Sequence, residues 1–332
     1  MHLPEPRGPV SAGLSAVLAG GPGGVPDAQF TGPDPLQDED LQLTLYLCYE
    51  LHYRGFAGVE ERWEWDPAVL QLRRRAEERF EAALRSSVAV PPGVSAAEVP
   101  RALTALVEAD DGPALSKYLA GRADLEQFRE FVIHRSVYHL READPHSWAI
   151  PRLSGRSKAA LIEIQADEYG GGRFERMHSE LFRTTMRELQ LDTTDGAYVE
   201  AAPAITLATN NLMSLLGLHR RLRGAIIGHL AAFEMTSSLP NRRYGNALRR
   251  LGGNADATRF YDEHVAADAV HEQIAAYDLC GSFAASHPDQ VGTVLFGAAC
   301  ALDLDRRFAE HVMNRWASGQ SSLRLGCLVP GT

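Results

Sequence analysis

The spacing of apolar residues restricts this chain more than any other feature. They recur every three or four positions in segment after segment. No segment shows the apolar–polar alternation of a half-buried strand. The reading is an all-α chain with the short connections of a helical bundle. Leu41 to His52 is strongly apolar and is ended by Gly55. Asp66 caps the next helix, Pro67 suits its first position, and Leu70, Leu72 and Phe80 carry it to about Leu84. Short helices are expected near 96–106 and 112–120. A longer one runs from Leu125 to Arg141, closed by Ala143-Asp144-Pro145.

Ser157 to Tyr169 is stopped by Gly170-Gly171-Gly172, and a helix from about Phe174 to Leu189 follows. Pro203 to Ser238 reads as one long apolar segment kinked near Gly217, with Pro240 as a break. Tyr244 to Leu251, Ala257 to Leu279 and Pro288 to Trp316 complete the set. Four regions are expected: a flexible Pro/Gly-rich tail (1–35), an accessory helical region (36–119), a main bundle (120–320) and a C-terminal tail (321–332).

With 45% hydrophobic and 23% charged residues, the chain can build a full core, which excludes a disordered protein. Cys48, Cys280, Cys300 and Cys327 form no CxxC pair, so neither a zinc ribbon nor a disulfide framework is expected. The net charge of −10 disfavours a nucleic-acid partner. No apolar run is long enough for a membrane span, and the first residues lack a secretion-signal pattern, so a cytoplasmic protein is expected.

The sharpest chemical signal is His264-Val-Ala-Ala-Asp268-Ala-Val-His271. Two imidazoles and a carboxylate at i, i+4 and i+7 share one helical stripe among small or apolar residues. Alone, this half-site competes with a solvated histidine pair. Glu175-Arg-Met-His178 places a carboxylate and an imidazole one turn apart, a pattern also common on wet surfaces.

Their combination matters more. Dimetal carboxylate bundles take one carboxylate from each of two helices and a Glu-x-x-His from each of two others. Here Asp268-x-x-His271 would be a shorter-armed second pair, and Glu142 and Glu234 the lone carboxylates. Glu234 lies among Ala, Phe and Met, where an unpartnered charge is costly. Its rival reading is a salt bridge to Arg223 or Arg242; that of Glu142 is a pair with Arg141. Glu168 is a further candidate if the helix continues past the glycines. Glu163 and Asp167 read as surface, and Glu50 to Gly55 as packing and capping.

In this order the residues resemble those of the haem-oxygenase-like diiron oxidases and oxygenases, the iron-containing redox enzymes. The resemblance covers about residues 120–320. It implies a haem-oxygenase-like bundle of about seven core helices with an N-terminal helical extension. It implies as iron ligands Glu142, Glu175, His178, Glu234, His264, Asp268 and His271, with Glu168 a further one. It also implies two Fe(2+) per chain, O2 as co-substrate and no haem. Through a peroxo-diferric intermediate the site would oxidise a small amine or amino-acid-like substrate at nitrogen, in a biosynthetic pathway. The alternative is oxidative C–C cleavage or desaturation of an aliphatic acid or amino acid. Outside enzymes, the rival is a helical scaffold with a degenerate site. A small-molecule substrate and an external electron donor are the expected partners, and a homodimer is compatible with both. Tyr169, Arg173, Phe233 and Tyr261 are pocket candidates by their nearness to ligands in the sequence.

Overall fold

The computed structural model describes residues 1–324, except for the side chains of residues 266–269. Among the described residues there are helices and turns and no strand, in keeping with the all-α, haem-oxygenase-like fold. The first helices are α1 (Pro9–Leu18), α2 (Glu39–Glu50), α3 (Pro67–Ser87), α4 (Val99–Glu108) and α5 (Leu115–Gly121). Then come α6 (Leu125–His139), α7 (Asp144–Ser147), α8 (Gly155–Glu168), α9 (His178–Glu188) and α10 (Ala204–Leu218). The last are α11 (Arg223–Arg250), α12 (Ala255–Gln273), α13 (Ser282–Ser286) and α14 (Val291–Ala317). A π-helical stretch, Ile274–Gly281, continues α12 into α13.

Helix α11 is the central post, packed against α12 and α14. Two glycines set its distance from α14. A Cβ on Gly228 would meet the Val294 carbonyl oxygen at 2.0 Å, and one on Gly297 the Ala225 carbonyl oxygen at 1.9 Å. The backbones therefore touch, which only glycine permits.

Three sequence expectations give way. The segment 1–35 contains α1, whose Val10, Leu14 and Leu18 are buried in the core. Asp40 accepts from the backbone N–H groups of Val10 (3.0 Å) and Ser11 (2.7 Å), tying α1 to α2. Helix α2 is no accessory layer, because every residue from Asp40 to Glu50 is buried and the helix packs on α10. Pro240 lies inside α11 rather than ending it. Packing on both sides outweighs the loss of one N–H donor. The actual break is at His219, after Gly217. There Arg152 donates to the Gly217 carbonyl, and its Nη2 donates to the Leu218 carbonyl at 2.8 Å, satisfying the end of α10.

Of the C-terminal segment, Ser322 and Leu323 are buried, and Ser322 Oγ lies 3.0 Å from His134 Nε2. Residues 325–332, including Cys327, lie outside the described residues. Cys48, Cys280 and Cys300 are buried free thiols. Among the described residues no helix is long and apolar enough to cross a membrane.

Candidate metal centre

Four helices and the turn after α6 deliver acids and imidazoles to one buried place. Helix α6 starts cleanly, with Asp124 accepting from the Gln127 N–H at 2.8 Å. It ends at His139, and the turn that follows closes at Ala143, which is left-handed (φ 73°); Gln165 Nε2 holds that turn by donating to the Ala143 carbonyl at 3.0 Å. Glu142 is thereby fixed in the turn, among the buried residues. Glu168 is the last residue of α8, on the buried face that carries Leu161, Ile164 and Gln165. His178 is the first residue of α9. Glu234 comes from the middle of α11, and His264 and His271 from one stripe of α12.

These residues form two groups that share Glu168. Ligand atoms of Glu142, Glu168, His178 and His264 lie within 4.8 Å of one another, as do those of Glu168, Glu234 and His271. All six side chains are buried. The orientation of several is that of ligands rather than of hydrogen-bond partners. His178 Nδ1 lies 3.0 Å from Glu168 Oε2, and yet neither atom has a hydrogen-bond partner. Glu142 Oε2 and His271 Nδ1 are buried without one as well. Buried polar atoms are otherwise paired almost without exception. Atoms that converge but do not bond leave room for a cation between them, so this donor set fits a metal.

The imidazoles are oriented from behind. His264 Nδ1 donates to the Phe260 carbonyl at 2.8 Å, which turns Nε2 toward Glu142 Oε1 at 3.6 Å. His271 Nε2 lies 3.0 Å from Asp167 Oδ2, which leaves Nδ1 facing Glu234 Oε2 at 3.4 Å. Burial depresses the His271 imidazolium, but Glu234 and Asp167 outweigh it and raise the pKa to about 9. His139 Nδ1 lies 2.8 Å from Glu142 Oε1. Burial pushes the Glu142 carboxyl up, and His139 and His264 more than reverse this, holding it well below the usual range. Glu168 behaves likewise, with burial opposed by His178.

Seven of the eight expected ligands can be placed. Glu142, Glu168, His178, Glu234, His264 and His271 converge. Glu175 is exposed on a 3-10 turn, Phe174–Arg176, and joins neither group. The Glu-x-x-His spacing does not operate there because α9 begins only at His178. The arm from Glu168, at the end of the preceding helix, occupies that place. Asp268 lies outside the described side chains. Arg141 does not pair with Glu142; it pairs with buried Glu50 and lies over the Tyr53 ring at 4.8 Å. Asp167, read as surface, is mostly exposed yet orients His271. His139 was missed, although His-x-x-Glu in residues 139–142 was there to be read.

A cavity of about 350 Å³ opens from the centre. Phe233 and Tyr261 line it as expected; Tyr169 instead bonds Ser147 and Asp144, and Arg173 is exposed. Its wall also holds His146 and His229, whose Nε2 and Nδ1 are 3.2 Å apart. Burial pushes His146 down to about 4 and His229 well below its ordinary value, so both are neutral at pH 7.

Buried mixed carboxylate–imidazole donors inside an all-α bundle define a helical metalloprotein of the kind that holds redox-active iron. Residues 129–306 match the family of iron-containing redox enzymes, and the chain belongs to that family. It is accordingly an oxidoreductase. The chain is also 26% identical over 180 residues to the nitrosourea synthase of Streptomyces achromogenes subsp. streptozoticus. That match covers 53% of this chain and 38% of the relative's length.

Proposed function

We propose that this protein is a non-haem diiron oxygenase that uses O2 to oxidise a small amine or amino-acid-like substrate at nitrogen. The observation that carries the reading is the position of Glu168. Its carboxylate belongs to both donor groups, as a ligand bridging two ions would. A haem would need one axial imidazole and would leave the buried acids uncompensated. Nitrogen is preferred as the atom oxidised because the relative is named a nitrosourea synthase.

Glu142, Glu168, His178 and His264 would hold one iron, and Glu168, Glu234 and His271 the other. When bound, the iron pair supplies reduction of O2 and the oxidising equivalents. The chain supplies the rest. The Phe233 ring packs against His229 at 4.2 Å between centroids and, with Phe182 and Phe260, supplies the apolar part of a wall that also carries the acids and imidazoles. The neutral His146–His229 pair adds hydrogen-bonding capacity without a positive charge, so it does not repel an amine. Asp167 and the Phe260 carbonyl fix the imidazole orientations before metal arrives.

Anaerobic Fe(II) loading followed by metal analysis and an optical spectrum tests the first part. About two irons per chain without a Soret band are expected. A single tightly bound iron, or a haem spectrum, would refute the reading. O2 uptake stimulated by amines, with N-oxygenated products by mass spectrometry, tests the second part.

A further inference from the structure

The cavity has a charged feature that the metal centre does not use. Among the described residues, Arg135 is the only arginine or lysine in its wall. It lies on α6, seven residues before Glu142, which sits in the turn after the helix ends at His139. Phe131 and Phe308 flank the guanidinium, with centroids 5.5 and 4.6 Å away. Its Nη2 donates to Asp305 Oδ1 at 2.8 Å, and the Tyr244 hydroxyl lies within reach of the same group. Asp305 is the more exposed partner, at 57% against 24%. An incoming carboxylate can therefore share or replace it.

Tyr261 supplies an independent observation. Its ring lies 5.7 Å from Tyr244, and it feels the charges of both Arg135 and Glu142. The residue is 2% exposed and lines the cavity, yet its hydroxyl has no hydrogen-bond partner. A buried hydroxyl left unpaired is costly unless a ligand completes it.

We propose that Arg135 anchors a carboxylate of the substrate at the end of the cavity away from the metal ligands, with the Tyr261 hydroxyl bonding a polar group between them. The substrate is then an amine that also carries a carboxylate, oxidised at a nitrogen remote from that carboxylate. The proposal rests on the oxygenase reading for the oxidation step, but the anchoring can be measured without turnover.

The test is anaerobic calorimetric titration of iron-loaded, full-length protein with L-lysine, L-arginine, 6-aminohexanoate and their carboxamides. At least one acid should bind about tenfold or more tightly than its carboxamide, because a charge-assisted fork is lost in the amide. Arg135→Gln should erase that preference, chiefly by weakening acid binding, and Arg135→Lys should restore part of it. Asp305→Asn breaks the same ion pair but should keep the preference, which separates anchoring from a merely structural salt bridge. Equal affinity for acid and amide, a preference that survives Arg135→Gln, one that Asp305→Asn abolishes as fully, or no binding by any of the compounds would each overturn the proposal. If the acids bind as expected but no amine stimulates O2 uptake, the oxygenase reading fails and the anchor stands.

Discussion

Asp167 Oδ2 lies 3.0 Å from Nε2 of His271, on the far side of the ring from Glu234. An exposed carboxylate thus determines which nitrogen a buried imidazole presents to the centre. This carboxylate–histidine arrangement recurs at metal sites, where the outer partner fixes the ring and raises its basicity.

Asp167→Ala should therefore weaken metal binding without removing a direct ligand. The expected loss is roughly 10–100-fold in affinity for the iron held at His271. Competition with a chromophoric chelator under anaerobic conditions measures it. Unchanged affinity would mean that the contact is incidental to the site.

The carboxylates on either side of His271, Glu234 first and Asp167 second, make the iron-free protein sensitive to pH. His271 is raised to about 9 in the folded chain, against an ordinary value near 6.5. Its contribution to stability is fully present below pH 6.5 and is lost as pH rises through 9. The urea midpoint of iron-free protein should fall across that window. Glu234→Gln should flatten the fall, because it removes the main group that raises the imidazole. An identical pH profile in the variant would refute the assignment.

Glu168 and Glu175 make a paired test of the ligand set. Glu168→Ala should lower iron content sharply relative to the parent, since its carboxylate serves both groups. Glu175→Ala should leave the content unchanged, since that side chain is exposed and remote from both groups. Metal analysis after desalting decides between them. The reverse pattern would reinstate the Glu-x-x-His pair.

The central crossing offers a test of the fold itself. Gly297→Ala would place a methyl group 1.9 Å from the Ala225 carbonyl oxygen, and backbone cannot move aside as a side chain can. A loss of about 1–3 kcal/mol or more is expected from such overpacking. Gly292→Ala, with open space around its Cβ, is the control on the same helix. Equal melting temperatures for the two variants would show that the helices can separate at little cost.

Much of this centre was legible because helical periodicity is a local signal. The His264–His271 stripe is spaced for one helix face, and α12 runs unbroken through it. Glu234 stood out because an acid among apolar residues must have a partner. What failed was non-local or depended on where a helix starts. Glu175 and His178 are one turn apart only if a helix covers both, and the chain begins that helix at His178. Asp167 looked like surface, and it is, but its partner lies 104 residues away in sequence. Helix α1 was hidden by the Pro and Gly around it, and is held by Asp40 and core packing rather than by propensity.

The glycine run between α8 and α9 is where local backbone and metal site meet. Gly170 and Gly171 both adopt left-handed conformations, with φ of 63° and 61°. Their surroundings differ. A Cβ on Gly170 would lie 2.5 Å from the Arg176 carbonyl carbon and 2.6 Å from the Met177 nitrogen, whereas one on Gly171 would meet nothing within 4 Å. Alanine at either position costs roughly 1–2 kcal/mol for the backbone conformation alone. Alanine at 170 must also push apart the strands of chain that carry Glu168 and His178, which stand 3.0 Å apart across the site. Gly170→Ala should therefore lose iron on dialysis much faster than Gly171→Ala, while both melt somewhat below the parent. Equal iron retention in the two variants would show that the Glu168–His178 geometry does not depend on this close approach.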